Sequence, residues 1–193
     1  YGGSVTVNGT QLTSSQEWDY TESNNNAAYR PSGAGQNAIA WMSDTASGDF
    51  TLSVDYTVTS STDTDPNGGF AISDGTTTYY VFLLGNGVRI IDATHNLGWQ
   101  NRTYNAFNSA ISGSVVGKTI TLTLSRTDGV WTFTATYGSE TITQTLDNLT
   151  ASWGGANQTF EDFALPSGEV AIGLTASDIA VAYENISLET VNE

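Results

Sequence analysis

The sequence predicts an all-β fold in which two antiparallel sheets pack face to face as a jelly-roll sandwich. Apolar and polar residues alternate in several segments, and in a strand this alternation directs successive side chains to opposite faces of a sheet. Glycine-containing turn signals separate these segments, and their outer positions are rich in threonine. No segment shows the periodicity of a helix, so we expect none.

The clearest strand covers residues 50–58, where Phe, Leu, Val, Tyr and Val alternate with Thr, Ser and Asp. Residues 119–124 and 131–137 repeat the pattern with threonine at every second position. Asp128-Gly129 lies between these two segments and tolerates the positive φ angles of a type I′ turn, so it predicts a hairpin. Trp131 alternates with core residues, and we assign it to the core.

Further hairpin turns are predicted at Gly138-Ser139 and at Gly85-Asn86-Gly87. Trp41 lies within an apolar segment and is expected to be packed. Additional strands are expected at residues 5–7, 38–42, 70–73, 170–175 and 179–188. This density of short strands is typical of a sandwich.

Length and composition indicate one acidic globular domain spanning residues 1–193. The chain is 38% hydrophobic and 11% aromatic, which is too apolar for a disordered acidic segment despite a net charge of -15. That charge repels phosphate backbones and anionic lipids, so we expect no nucleic acid partner and no membrane insertion. A neutral ligand is easier for such a surface to hold.

The chain has no cysteine, so the core must stabilise the fold without disulfides. No apolar segment approaches the length of a membrane-spanning helix. The chain begins at Tyr1 without an initiator Met or a signal peptide. We expect it to be a mature or excised part of a larger multidomain protein.

Three connections between the predicted strands are long, at residues 8–37, 93–117 and 146–168. Long ordered connections in compact domains are usually functional. A flexible linker would carry few aromatic residues. These connections carry Trp18, Tyr20 and Tyr29, then Trp99, Tyr104 and Phe107, then Trp153, Phe160 and Phe163. We therefore expect a binding site built from aromatic loops on a rigid sandwich.

Several segments resemble, in their order along the chain, the concanavalin A-like and laminin-G-like sandwiches. They are residues 48–54 (GDFTLSV), 69–75 (GFAISDG) with 79–82 (YYVF), and 172–174 (IGL) with 181–186 (VAYENI). The resemblance covers residues 38–191, and residues 1–37 supply an N-terminal strand and a long loop. Many carbohydrate-binding modules of secreted bacterial polysaccharide degraders belong to this superfamily. The resemblance implies the fold and, with it, glycan binding in the extracellular space or at the cell surface.

Members of this superfamily that hydrolyse glycans carry two glutamates on one strand with an aspartate between them. Glu184 and Glu189 keep the outer acids, but Ile186 stands where the middle aspartate would be. Residues five apart on a regular strand point to opposite faces unless a bulge intervenes. His95 is the only histidine, and no nucleophile-elbow motif is present. The sequence therefore predicts a protein that is not an enzyme, with a glycoside hydrolase as the weaker alternative.

A pyranose ring needs a flat exposed aromatic beside planar polar groups. Residues 95–104 supply both, so we predict a ligand site there. Its residues are Trp99, Tyr104, His95, Asn96, Gln100, Asn101 and Arg102. In the alternative interpretation, Trp99 plugs one end of the sandwich and the polar residues satisfy loop backbone groups. For Trp18 and Trp153 the sequence favours neither role.

One segment fits the spacing of a calcium loop, with Asp63, Asp65, Asn67 and Asp74 as its ligands. Pro66 is unusual inside such a loop, and a β-turn between two strands explains the same residues. No cofactor is required by the predicted function, and structural calcium is the alternative to the turn.

These observations predict a non-catalytic carbohydrate-binding module that recognises a neutral polysaccharide or oligosaccharide. An adhesion or scaffold domain with a protein partner is a second interpretation, because the same sandwich serves both roles.

Overall fold

The computed structural model describes residues 4–7, 10–11, 28–29, 38–61, 67–112, 114–154, 162–177 and 179–191. These residues form two large sheets, of seven and eight strands, and one two-stranded ribbon. The pairing is antiparallel throughout the large sheets except between the N-terminal strand and the C-terminal strand, which are parallel. The predicted all-β sandwich is therefore confirmed.

The seven-stranded sheet joins both ends of the described chain. Its strands, in spatial order, are β12 (Glu140–Thr145), β11 (Val130–Tyr137), β10 (Thr119–Thr127), β5 (Phe50–Ser61), β17 (Ile179–Thr190), β1 (Ser4–Val7) and β2 (Thr10–Gln11). Buried and partly exposed residues alternate along β5 from Phe50 to Val58, as the sequence pattern predicts.

The eight-stranded sheet carries the remaining long strands. In spatial order they are β14 (Trp153–Gly154), β9 (Leu97–Asn101), β8 (Gly87–Asp92), β7 (Thr78–Leu84), β6 (Asn67–Ser73), β16 (Val170–Ser177), β4 (Ala38–Ala46) and β3 (Ala28–Tyr29). The ribbon pairs β13 (Leu149–Thr150) with β15 (Asp162–Phe163).

The main core lies between the inner faces of the two sheets. Phe70 of β6 and Phe133 of β11 meet there edge to face, with ring centroids 6.2 Å apart. Tyr183 of β17 also crosses the space, and its hydroxyl donates to the carbonyl oxygen of Gly69 at 2.9 Å. The same hydroxyl accepts a hydrogen bond from the backbone N–H of Gly69. Apolar packing and a polar contact therefore hold the sheets in one relative position.

The predicted hairpin turns are found where the sequence places them. Asp128 and Gly129 both have positive φ, 51° and 78°, as a type I′ turn requires. Gly138, at φ 61°, begins the turn from β11 to β12. The turn from β7 to β8 is formed by Gly85 and Asn86. Trp131 is buried, as its alternation with core residues predicts.

The second predicted long connection, residues 93–117, is instead structured. It contains strand β9 and helix α1 (Asn105–Ala110), which the sequence pattern did not predict. With six residues, α1 is too short to display a helical period, and Phe107 is its buried residue. The third connection contains β13, β14 and β15, and its residues 155–161 lie outside the described part. Most of the first, including Trp18 and Tyr20, also lies outside it.

Arg126 is a charged side chain in the core, with an exposed fraction of 1%. Its position follows from strand alternation, because it continues the inward-facing series of β10. The guanidinium lies over the rings of Phe50 and Trp131, at 5.5 and 5.2 Å from their centroids. It also donates to the carbonyl oxygens of Gly48 at 2.7 Å and Gly168 at 2.8 Å. Arg126 thus ties two turns to the core at one end of the sandwich.

We expect Arg126→Met to lower the free energy of unfolding by about 3 kcal/mol or more, because the carbonyl groups of Gly48 and Gly168 lose their donor and the cation–π contacts with Phe50 and Trp131 are lost. Urea denaturation followed by tryptophan fluorescence measures the change. The matched control is Arg89→Met, because Arg89 is only partly buried on the outer face of β8; we expect it to cost about 1 kcal/mol or less. Equal stability of the two variants would contradict this role of Arg126.

Candidate functional site

The predicted ligand residues do not form one surface. Strand β9 carries Trp99, Gln100 and Asn101, and alternation directs Gln100 to the opposite face from its two neighbours. His95 and Asn96 lie in the turn before β9, whereas Arg102 and Tyr104 follow its end. The structure therefore divides the predicted set between two faces and between the two ends of one strand.

Trp99 lies on the inner face of the eight-stranded sheet. It is opposite Ile90 in the register of β8 and β9, and Ile90 is fully buried. Its ring is partly buried and packs against the main core. This position agrees with the alternative in which Trp99 plugs one end of the sandwich.

His95 and Asn96 belong to a turn held by Asp92. The Oδ1 atom of Asp92 accepts the backbone N–H groups of Thr94 at 3.0 Å and His95 at 2.9 Å. The Nδ1 atom of His95 lies 2.7 Å from Oδ2 of the same carboxylate. Asn96 takes the positive φ of 56° that closes the turn. These contacts satisfy hydrogen-bonding groups of the loop backbone. This agrees with the alternative interpretation, in which the polar residues of 95–104 serve the loop rather than a ligand.

Asn101 and Tyr104 connect β9 to the edge strand of the opposite sheet. The amide of Asn101 donates to Oε1 of Gln144 at 3.1 Å, and the hydroxyl of Tyr104 donates to the carbonyl oxygen of Thr143 at 2.7 Å. Burial raises the pKa of Tyr104 above its ordinary value. Both side chains therefore close the sandwich beside β12 and satisfy part of its exposed edge.

We expect Trp99→Ala to lower the free energy of unfolding by about 2 to 4 kcal/mol, since it leaves a cavity next to the main core. Thermal melting followed by circular dichroism tests this. A melting temperature equal to that of the wild type would show that Trp99 contributes little to the core. Trp99 would then again be a candidate for stacking against a sugar.

Trp153 lies on the outer face of the eight-stranded sheet. It pairs with Gly98. A Cβ atom added to Gly98 would collide with the Cε2, Cζ2 and Cη2 atoms of the Trp153 ring. The six-membered ring therefore rests directly on the glycine backbone. Further contacts fix the segment, because the N–H of Ser152 donates to the carbonyl oxygen of Gly98 at 2.8 Å. One face of the ring is thus held against the sheet, and the side chain as a whole is partly exposed.

Planar polar groups stand beside this ring on the same face. Gln100 is two residues beyond Gly98 on β9 and is exposed. Its Oε1 atom accepts from Nη2 of Arg89 at 3.2 Å. Arg89 also reaches across β7 to β6, where its Nη1 donates to Oδ1 of Asn67 at 2.9 Å. An amide, a guanidinium and a second amide thus form a continuous hydrogen-bonded series.

We define the Trp153 surface as Trp153, Gly98, Gln100, Arg89 and Asn67. It combines a flat aromatic ring with ordered donors and acceptors, which are the two requirements of a sugar site. Of the residues predicted from sequence, only Gln100 belongs to it. Gly98 within an apolar strand was the available signal for Trp153, because glycine inside a strand often marks the close approach of another group. Arg89 gave no such signal.

The outer side of β7, between Arg89 and Asn67 of this surface, is inaccessible. Tyr80 and Phe82 of β7 are stacked with ring centroids 5.5 Å apart, and their exposed fractions are only 2% and 1%. With Ile39 and Ala71 they form a second buried cluster on the outer side of the sheet. Trp41 packs against this cluster and lies beside Gly173, as its predicted packing requires.

The predicted calcium loop is not formed by its described residues. Asn67 begins β6 and Asp74 follows its last residue, so a strand with a rise of about 3.3 Å per residue separates them by roughly 20 Å. Asp74 instead accepts the backbone N–H groups of Thr77 and Thr76, both at 2.8 Å, and these bonds lower its pKa. Asp63 and Asp65 lie outside the described residues. Within the described part of the chain, no three acidic, histidine or cysteine side chains are close enough to hold a metal ion.

Glu184 and Glu189 share one face of the seven-stranded sheet, contrary to what a regular strand predicts. A bulge at Asn185, with φ 51°, shifts the register so that Glu184 is opposite Asp55 and Glu189 is opposite Thr51. Four residues of β5 separate those partners, or about 13 Å. Paired glycosidase carboxyls are at most about 9.5 Å apart, so this geometry does not match a hydrolytic pair.

Comparison with known proteins identifies similar folds. Solved structures similar to this chain include a functionally unknown protein from Saccharomyces cerevisiae, with 10% sequence identity, a TM-score of 0.47, and coverage of 83% of this chain and 77% of that one. They also include the carbohydrate-binding module CBM66 from Bacillus subtilis, with 15% identity, a TM-score of 0.43, and coverage of 80% and 82%. A third is the alginate lyase AlgAT5 from polysaccharide lyase family 7, with 11% identity, a TM-score of 0.38, and coverage of 77% and 63%.

No protein-family model matches the chain, and no curated protein sequence matches it significantly. The three structural similarities concern the fold and do not identify a ligand.

Proposed function

We propose that this chain is a non-catalytic carbohydrate-binding module that holds a neutral glycan on the Trp153 surface. The observation that carries the proposal is the Trp153 ring laid flat on Gly98, with Gln100 and Arg89 beside it on the same outer face. A ring supported in this way presents one rigid, outward apolar face.

The chemistry of a sugar matches these groups. The C–H face of a pyranose stacks on an indole and loses apolar contact with water, which contributes on the order of 1 to 3 kcal/mol. The ring hydroxyls lie at the rim of such a stack and exchange hydrogen bonds with amide and guanidinium groups. Because Gln100, Arg89 and Asn67 already hydrogen-bond one another, little side-chain entropy remains to be lost on binding.

Charge favours a neutral glycan over an acidic one. The chain carries 20 acidic residues against 5 Lys and Arg, so its field repels polyanions at a distance. Arg89 then acts as a donor to sugar hydroxyls within a locally ordered polar group. Polysaccharides too large to cross a membrane are encountered outside cells, so the proposal includes an extracellular or cell-surface location. Among the described residues, no helix is long and apolar enough to cross a membrane.

The proposal includes the absence of catalysis. It is supported by the separation of Glu184 and Glu189 along the seven-stranded sheet, which does not suit a pair of carboxylates acting on one glycosidic bond. The five described residues of the Trp153 surface include no carboxylate. We expect purified protein to release no reducing sugar from a glycan that it binds, as measured by a reducing-end assay. Release that disappears in Glu184→Gln would overturn this part of the proposal.

The central test moves the ring without removing it. In Gly98→Ala the added Cβ collides with a side chain rather than with backbone, so the ring must give way and the platform tilts. We expect glycan affinity to fall about tenfold, or roughly 1.4 kcal/mol, with the fold retained. Trp153→Ala should weaken binding at least as much. Isothermal titration calorimetry on a ligand found by glycan array gives both affinities.

Gly168→Ala is the matched control, because a Cβ at that position meets nothing within 4 Å. It should bind like the wild type. Unchanged affinity in both Gly98→Ala and Trp153→Ala would show that the glycan binds elsewhere. No binding to any glycan on the array would contradict the function and leave the adhesion or scaffold interpretation.

A further inference from the structure

We propose that the Trp153 surface recognises only one or two sugar residues of its glycan, so that affinity does not grow with chain length. This inference rests on the proposed function and adds the size of the recognised unit. It follows from where the accessible part of the outer face begins and ends.

The open sheet face within the Trp153 surface spans three strands, β14, β9 and β8, and Asn67 on β6 joins the surface only through its hydrogen bond to Arg89. Among the described residues, β14 is the last strand on this side of the sheet, and Trp153 leans from it over β9. Beyond β8 the outward side chains of β7, Tyr80 and Phe82, are almost completely buried. Neighbouring strands are about 4.8 Å apart, so the accessible part is roughly 10 Å wide.

The side chain of Arg89 marks the inner boundary. It leaves β8 opposite Phe82 and bonds to Asn67 on β6, so it crosses the outer side of β7. A ligand stacked on Trp153 therefore meets the guanidinium at about the point where the buried aromatic residues begin. A sugar chain that continues in this direction finds no open sheet face.

The length of the surface along the strands is also small. Two residues separate the Gly98 position from the Gln100 position, which corresponds to about 7 Å. The β8–β9 turn, held by Asp92, lies next to the Gly98 end of this interval. Such an area accommodates one or two pyranose rings, and we assign no contact to further residues of a polymer.

Sugar residues that do not contact the protein add no binding free energy. In a long groove, by contrast, affinity rises with each subsite that the ligand fills. Calorimetry with mono- to hexasaccharides of the β-1,4-glucan, β-1,4-xylan, β-1,4-mannan and β-1,3-glucan series distinguishes these cases. In any series that binds, we expect affinity to level off at the disaccharide. From the disaccharide to the hexasaccharide it should rise by less than about fivefold, the statistical effect of overlapping binding units.

A rise of more than about tenfold from the disaccharide to the hexasaccharide would overturn the inference while leaving glycan binding intact. Failure of every series and of the glycan array to bind would contradict the proposed function itself, and the inference with it. The two failures are therefore distinguishable.

Gly173→Ala provides a matched control on the same outer face. An added Cβ there would lie 2.6 Å from Cγ2 of Ile39 and 3.1 Å from Cε3 of Trp41, so the buried cluster must shift slightly at the far side of the sheet, and the melting temperature of the variant is measured alongside its affinities. Because this position is beyond the proposed boundary, we expect the affinities for the disaccharide and the hexasaccharide to be unchanged. Selective weakening of the hexasaccharide would show that the ligand extends across the sheet and would contradict the inference.

Discussion

The packing of the two inner sheet faces against each other is the interaction on which the rest of this molecule depends. A chain without cysteine has no covalent link to hold the sheets in register, so apolar burial must do so. Phe70 and Phe133 meet across the interface, and the Tyr183 hydroxyl bonds to the opposite backbone at Gly69. Because this contact fixes the sheets, part of their outer faces, including Gln100, can remain exposed.

Arg126 shows how much polar chemistry this core tolerates when most of its donors are satisfied. A guanidinium desolvated between Phe50 and Trp131 would be costly without partners; the carbonyl groups of Gly48 and Gly168 supply them for Nε and Nη1, while Nη2 has no hydrogen-bond partner among the described residues. Burial lowers the pKa of Arg126, and nearby Asp49 acts in the opposite direction. An arginine still remains protonated at any pH at which the protein is folded.

The sequence predicted the strands well because, in a sheet with one buried face, every second residue of a strand is apolar. Strand β5 and the hairpin of β10 and β11 needed no other information. The same rule places Arg126 in the core, although the residue type argues against it. Strand β9 and helix α1 are too short for alternation or a helical period to be recognised, so the sequence predicted one long loop there. Likewise, one bulge at Asn185 reversed the predicted facing of Glu189.

The candidate site was harder to predict because it depends on pairing between distant segments. Residues 95–104 are contiguous, yet alternation and the turn at Asp92 send them to different faces and ends. Gln100 was named from its residue type and belongs to the proposed surface, whereas Trp99 and Trp153 could be distinguished only by their partners, Ile90 and Gly98. No local pattern specifies that Arg89 bonds to Asn67, because that contact depends on how β6, β7 and β8 are aligned.

The β13–β15 ribbon brings together the two ends of the segment that carries Trp153. Leu149 pairs with Phe163, and the hydroxyl of Thr150 donates to the Asp162 carboxylate, so residues 150 and 162 are held side by side. A segment whose ends are already held together can change in length or sequence at small entropic cost to folding. Exchange of the single segment that carries Trp153 can thus change ligand preference, and protein design could transfer this segment to another sandwich.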